Sequence, residues 1–426
     1  MRTIIRQGYI LTATDDQIRK ASVGIEEDQI VFIGDEPDTF MPDRVIDGSR
    51  GLIMPGLINT HTHSAMSLLR NYADDLPFWE WLMEKIWPIE EKMEAHDVYW
   101  GSMLSIAEMI FGGTTAFGDM YFCSEETAKA AASAGIRCSI AKGLVGSSEE
   151  DNKRFTDTRR LVNQWHGAAN GLITIMAGPH APYTCDDAFI GKVLDLCREL
   201  NISIHIHLAE SRKEVEESLK KHGRSPIQHM DHLGLFTCHT LAAHCVHLLP
   251  ADFDILQKNG VSVAHNPTSN LKLGNGIAPV TQLLQRSINV CLGTDGSASN
   301  NNQNLFEEMH IAALLAKGIS EDPTTAPADI MLGMATKNGA KALGIDHETG
   351  TLEKGKKADL IMINLDQPHF YPQHNLSASL VYSAQASDVN LVMVNGVILM
   401  ERGELKTIDQ EKLIFEISNI SQRLMG

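Results

Sequence analysis

The sequence predicts an α/β protein. A (β/α)8 barrel of the TIM type is joined to a small β-sandwich domain built from the N- and C-terminal segments. Three observations lead there. Between residues 56 and 345, eight short apolar runs alternate with helical stretches, the pattern of a parallel sheet made from βα units. Histidines and acids recur where those runs end, at many strands rather than at one crevice. That favours a closed barrel over an open doubly wound sheet. Residues 1–55 and 346–426 instead read as short alternating runs and turns.

In order, the first segment holds strands at Thr3–Leu11, Ala21–Ile25, Gln29–Ile33 and Arg44–Ile46. The barrel strands are expected at Gly56–Asn59, Thr114–Asp119, Arg137–Lys142, Leu172–Gly178, Ser203–Leu208, Thr240–Ala243, Val261–His265 and Asn289–Leu292. Helices are expected at 125–134 and 187–200 among others. After residue 345 the chain returns to strands at Ala358–Asn364, Val389–Val394 and Val397–Met400. Asn395-Gly396 supplies the positive φ of a tight hairpin. Gln410 to Arg423 has the apolar spacing of a terminal helix. Gly350 to Lys357 nearly matches a phosphate-binding loop. Lys357 stands where Ser or Thr should hold magnesium, so it reads as a charged turn.

Composition excludes several classes. The chain has 426 residues with 54 Asp+Glu against 36 Lys+Arg, a net charge of −18, which argues against a nucleic-acid partner. Its 7 cysteines are scattered with no C-x-x-C pair, so neither a disulfide framework nor a cysteine zinc module is expected. There is no signal-like N-terminus and no apolar run of membrane-spanning length. The expectation is a cytoplasmic protein without a membrane partner.

The first barrel strand ends in His61-Thr62-His63. Side chains one residue apart on a strand share a face, so the two imidazoles make half of a metal site. The fifth strand carries His205 and His207 in the same relation, with Glu210 three residues on. His207 lies nearer the mouth, and an acid beside a metal ligand suits a proton shuttle. His244 ends the sixth strand. Asp295 sits between small residues after the eighth. His61, His63, His207 and Asp295 thus form a three-His, one-Asp set. One zinc ion per subunit with room for water is its natural occupant, and iron, nickel or manganese are the other occupants. The fourth strand has no lysine to bridge a second metal. The polar run Ser269 to Gly276 reads either as turn chemistry or as a lid. The patch Phe78, Trp79, Trp81, Met83 and Trp87 reads mainly as helix packing, with one or two members lining a pocket.

These stretches together, PGLINTHTH, HIHLAE, AAHCVHL, HNPTSNLKLGNGIAPV and LGTDGSASNN, closely resemble the amidohydrolase superfamily. Within it, Leu76 to Lys92 resembles the nucleoside-binding segment of the 5-methylthioadenosine/S-adenosylhomocysteine deaminases. The resemblance implies metal ligation by His61, His63, His207 and Asp295, with Glu210, His244 and Asp295 catalytic. It implies substrate contacts at Glu90, Lys142, Arg154, His180, Glu210 and Asp295. Glu90 would bind the ribose hydroxyls, since a carboxylate accepts from both members of a cis-diol. Lys142 stands where relatives carry arginine, which keeps the charge but loses the planar fork. The implied reaction is hydrolytic deamination of methylthioadenosine, S-adenosylhomocysteine or adenosine. Separately, assembly into a homo-oligomer through the barrel's flanks is expected. The competing readings are a guanine, pterin or triazine hydrolase of the same superfamily, and a non-catalytic scaffold.

Overall fold

The computed structural model describes residues 1–15, 17–146 and 152–426. The eight apolar runs form one parallel sheet: β1 (Leu57–Thr62), β2 (Thr114–Tyr121), β3 (Arg137–Leu144), β4 (Ile173–Pro179), β5 (Ile204–Leu208), β6 (Thr240–His244), β7 (Ser262–His265) and β8 (Val290–Leu292). They pair in chain order from β1 to β8. Among the described residues β8 and β1 share no ladder, but the seam is stitched. The Asp295 amide donates to the His61 carbonyl at 2.9 Å, and the Thr60 hydroxyl donates to the Leu292 carbonyl at 2.8 Å. Ile58, Ala116, Met120, Ala141, Met176 and Leu241 share an apolar cluster with Ala340 and Leu343 of the helix Lys337–Leu343. Alternation on β1 would put Ile58, Thr60 and Thr62 on one face. Register breaks on both sides of Asn59 in its pairing with β2 reset that phase and let His61 join the converging imidazoles. The strand also runs three residues beyond the apolar signal. Thr60 and Thr62 spend their hydroxyls on neighbouring strands, so they read as polar in sequence yet are buried in the sheet.

The chain ends interleave in a second, nine-stranded sheet. Gly51–Pro55, which the sequence reading missed, pairs antiparallel with Leu360–Asn364 and joins the N-terminal half to the C-terminal half. The two layers expected of a sandwich are halves of this one sheet, folded over on itself. The Ile30 amide donates to the Lys356 carbonyl at 2.9 Å, and the Gly355 amide donates to the Ile30 carbonyl at 2.8 Å. Ile5, Val23 and Ile25 thereby share a cluster with Leu360, Met362 and Leu391. The segment 350–357 is the charged turn its lysine implied, and Lys357 forms an isolated bridge with Gln29. The terminal helix Gln410–Met425 packs on Ala95–Phe111.

A buried guanidinium joins the two parts. Arg137 at the start of β3 donates to Asp359 at 2.9 Å, Glu348 at 2.7 Å and Asn395 at 2.7 Å. Asp359 is itself buried, so removing the cation leaves an uncompensated charge. Arg137→Met is expected to cost about 3–5 kcal/mol of stability, read as a lower denaturant midpoint. An unchanged midpoint would show that this joint is held by something else.

Candidate active site

Four ligand atoms converge at the C-terminal mouth of the barrel. Asp295 Oδ1 lies 3.4 Å from His61 Nε2 and 3.2 Å from His63 Nε2. His207 Nε2 lies 3.3 Å from His63 Nε2. Metal–ligand bonds of ~2.0–2.1 Å in a tetrahedron give edges of roughly 3.3–3.4 Å. The spacing is therefore that of ligands around one ion. The far nitrogens are already fixed. His63 Nδ1 donates to the Met120 carbonyl at 2.6 Å, and His207 Nδ1 donates to the His180 carbonyl at 2.8 Å. Each ring then turns its Nε2 inward. His61 Nε2 is buried without a hydrogen-bond partner, and its Nδ1 is 2.9 Å from Nε2 of His205, which sits behind it.

Electrostatics agree with a cation site. Burial lowers His61 to about 4 and holds His207 well below the ordinary histidine value, so both rings are neutral and able to ligate a cation. Burial also works to lower His63, but its hydrogen bond and charge interaction with Asp295 more than offset this and lift it to about 9. That proton is the one a bound cation displaces. Burial would raise Asp295, yet the hydrogen bonds and charges of His61 and His63 hold it well below the usual carboxylate range.

Two further titratable groups, His244 and Glu210, stand beside this cluster. His244 Nε2 is 3.9 Å from both Glu210 Oε2 and Asp295 Oδ2. Its Nδ1 is 2.8 Å from Asn270 Oδ1 and donates to that amide oxygen, leaving Nε2 free to accept. Glu210 Oε1 accepts from Asn275 at 2.9 Å, and burial raises its pKa above the ordinary value. Asp295 Oδ2 accepts from Ser269 at 2.7 Å. The run 266–276 is thus mostly structural: a short helix, Pro267–Lys272, and its exit anchor all three groups. Asn270, Asn275 and Ser269 were visible in the sequence only as polarity. Three backbone positions here are left-handed: Ala209 at φ 52°, His244 at φ 74° and Asp295 at φ 64°. Such conformations cost about 1–3 kcal/mol each and cluster at functional sites. Gly293 has no room for a side chain, since a Cβ there would lie 2.5 Å from Asn266 Oδ1 and 2.8 Å from His61 Cβ.

Glu214, also missed, holds the Glu210 backbone. Its buried carboxylate accepts from the Ala209 amide at 2.9 Å and the Glu210 amide at 2.8 Å. Ser211-x-x-Glu214 is the capping-box spacing that would have found it, and Ser211 caps the helix Arg212–His222. Glu214→Gln removes one acceptor from a buried pair of N–H groups, worth about 1–3 kcal/mol. The expected result is a kcat roughly ten- to a hundredfold lower with metal content unchanged, checked by steady-state kinetics beside elemental analysis.

A cavity of about 370 Å³ opens over the cluster. His63, His207, Glu210, His244 and Asp295 form its polar end. Phe78, Trp81, Leu82 and Trp87 line it, more of the aromatic patch than the sequence reading assigned. Met83 is exposed instead, and Trp79 packs on Tyr183. Glu90 lines the same cavity and accepts from the Tyr121 hydroxyl at 2.6 Å, and burial lifts its pKa to about 7. His180 lines it too. Lys142 and Arg154 are not among the described lining residues. They lie close enough on one flank for their charges to interact, and burial lowers the Lys142 pKa.

Barrel, inward imidazoles and facing acids define a metal-dependent hydrolase with a divalent-metal centre. The amidohydrolase family model matches residues 52–399. The 5-methylthioadenosine/S-adenosylhomocysteine deaminase of Thermoanaerobacter pseudethanolicus is 50% identical over 429 residues, covering 100% of both chains. The protein of that name from Dictyoglomus turgidum is 49% identical over 401 residues, 94% of each chain. The zinc-bound crystal structure of an adenosine deaminase from Xanthomonas campestris superposes with a TM-score of 0.95 at 34% identity, covering 99% of this chain and 98% of that one. Atrazine chlorohydrolase TrzN from Arthrobacter aurescens, complexed with zinc, shares the fold at a TM-score of 0.91 and 24% identity, covering 98% of this chain and 100% of that one. The chain belongs to the amidohydrolase family and, within it, to the 5-methylthioadenosine/S-adenosylhomocysteine deaminases.

Proposed function

We propose that this chain deaminates adenine nucleosides hydrolytically, converting 5′-methylthioadenosine, S-adenosylhomocysteine and adenosine to inosine-type nucleosides and ammonia. The observation that carries the reading is one cavity that holds Glu210 beside the imidazole cluster and also the carboxyl of Glu90, a group able to accept from both hydroxyls of a cis-diol. The full-length relatives that bear the deaminase name support it. Residues 56–345 are read as the catalytic barrel, with 1–55 and 346–426 as the flanking unit.

His61, His63, His207 and Asp295 fit one divalent ion, which we read as a single zinc. Such an ion supplies a water acidic enough to be used near neutral pH. His244 and Asp295 take the proton of the attacking water. Glu210, whose burial shifts it toward the protonated form, delivers a proton to N1 as the water oxygen adds to C6, so charge does not build on the ring. The proton held on His244 and Asp295 then goes to the departing amino group, which leaves as ammonia, while the C6 hydroxyl proton passes to Glu210, giving the 6-oxo ring and restoring the acid. Glu90 accepts from the ribose hydroxyls. The apolar wall of Phe78, Trp81 and Trp87 takes the sulfur-bearing tail and keeps out water.

Glu90→Gln is expected to raise KM for a ribonucleoside about tenfold or more while kcat changes little, because charge-assisted hydrogen bonds are worth about 1.5–3 kcal/mol. A 2′,3′-dideoxy analogue should show no such change. Glu90 has a raised pKa of about 7, so the acceptor is lost as pH falls through that value. KM of the wild type should therefore rise toward acid, and the variant should lack that limb.

A guanine or triazine substrate has no diol, so Glu90 weighs against the competing hydrolases. We also read the enzyme as a cytoplasmic homo-oligomer acting on free nucleosides, not on nucleic acid. The net charge of −18 supports the last point. Among the described residues no helix is long and apolar enough to cross a membrane. Ammonia release measured side by side from methylthioadenosine, S-adenosylhomocysteine, adenosine and guanine tests the assignment. Preferred turnover of guanine would overturn it.

A further inference from the structure

The deeper of the two β5 histidines lies one layer below the cation cluster. On β5, Ile204, Ile206 and Leu208 belong to the main apolar core, so His205 and His207 point into the barrel. His205 is fully buried, and its Nε2 is 2.9 Å from Nδ1 of His61. The two rings are not stacked: their centroids are 4.9 Å apart and their planes 69° apart. His205 Nδ1 is buried with no hydrogen-bond partner.

A neutral imidazole carries one proton, on one of its two nitrogens. A ring that gives Nε2 to a cation keeps that proton on Nδ1 and needs an acceptor there. For His63 the acceptor is the Met120 carbonyl at 2.6 Å, and for His207 it is the His180 carbonyl at 2.8 Å. His61 has the His205 ring in that place. A carbonyl can only accept, whereas an imidazole nitrogen accepts only when the ring's proton sits on the other nitrogen. In His205 that other nitrogen is the unpaired Nδ1. A buried N–H without a partner is an exception that calls for a cause. The cause here is that a proton on Nδ1 leaves Nε2 free to accept from His61.

We propose that His205 is a positioning residue for the metal centre. Its Nε2 accepts the Nδ1 proton of His61, which fixes the His61 tautomer with the Nε2 lone pair turned to the ion and raises the basicity of that ligand. The proposal rests on the reading of His61, His63, His207 and Asp295 as a zinc site. His205 acts through His61 and does not line the nucleoside cavity.

The test measures zinc affinity of the full-length protein by competition with a chelator, for the wild type, His205→Leu and His205→Gln. Leucine fills the space without an acceptor. Glutamine can place its amide oxygen where Nε2 stood. His205→Leu is expected to bind zinc about 10–100-fold more weakly, the usual cost of losing such a partner, and His205→Gln should recover most of that loss. Wild-type affinity in His205→Leu overturns the proposal. So does a His205→Gln variant as weak as His205→Leu, since the loss then follows from packing and not from the acceptor. Neutron diffraction from crystals of the zinc-loaded wild type reads the protons directly and needs no variant to fold. Deuterium is expected on Nδ1 of both His61 and His205, with none on His205 Nε2, and deuterium on His205 Nε2 overturns the proposal. A wild type with no zinc at His61 removes the metal reading and this proposal with it, whereas zinc at His61 with unchanged affinity in His205→Leu removes only the role of His205.

Discussion

Glu210→Gln should retain its metal and lose turnover by about 10²–10⁴-fold, the range for a positioned general acid. The carboxyl is buried, raised in pKa, and held by Asn275 on one oxygen, with the other 3.9 Å from His244. Glutamine keeps the shape and the contact to Asn275 but has no proton to give. Substrate affinity should fall little, so the loss appears in kcat and kcat/KM together. Steady-state kinetics with elemental analysis of the same sample checks this. Turnover like the wild type would remove Glu210 from the mechanism.

His207→Ala should lose the metal and with it at least about 10³-fold of activity, since the charge stabilisation and water activation a cation supplies are worth several kcal/mol. His207 is held in register on β5 and oriented by the His180 carbonyl at 2.8 Å. Removing it leaves His61, His63 and Asp295 around a vacant ligand position. The fold should survive, because β5 keeps its outward Ile204, Ile206 and Leu208 in the main core. The expected observation is an unchanged circular dichroism spectrum with metal content near zero. Full metal content in this variant would place the ion elsewhere.

The barrel was legible because βα alternation is a long, repeated signal. The eight expected strands are the eight observed, and the expected helix at 187–200 matches Asp187–Leu200. The convergence of His61 and His63 was legible because H-x-H at a strand end has a period-two meaning. What escaped was set by tertiary contact. Gly51–Pro55 is too short to stand out beside β1, and its role is fixed by its partner Leu360–Asn364. The phase reset around Asn59 depends on pairing with β2 and leaves no mark in composition. Asn270, Asn275 and Glu214 act by holding other residues, and polarity does not say what a side chain holds. The aromatic segment beginning at Phe78 reads as packing because it does pack, with its π-helical turn Trp81–Ile86 presenting Trp81 and Leu82 to the cavity.

The account rests on distant segments meeting around one divalent ion at the barrel mouth. Anomalous diffraction at the zinc edge, from crystals of the zinc-loaded protein, tests this most directly. One peak is expected among His61 Nε2, His63 Nε2, His207 Nε2 and an Asp295 oxygen, about 2.0–2.2 Å from each. A zinc-loaded, active crystal with no peak between those side chains, or with a peak that His207 and Asp295 do not touch, would contradict it.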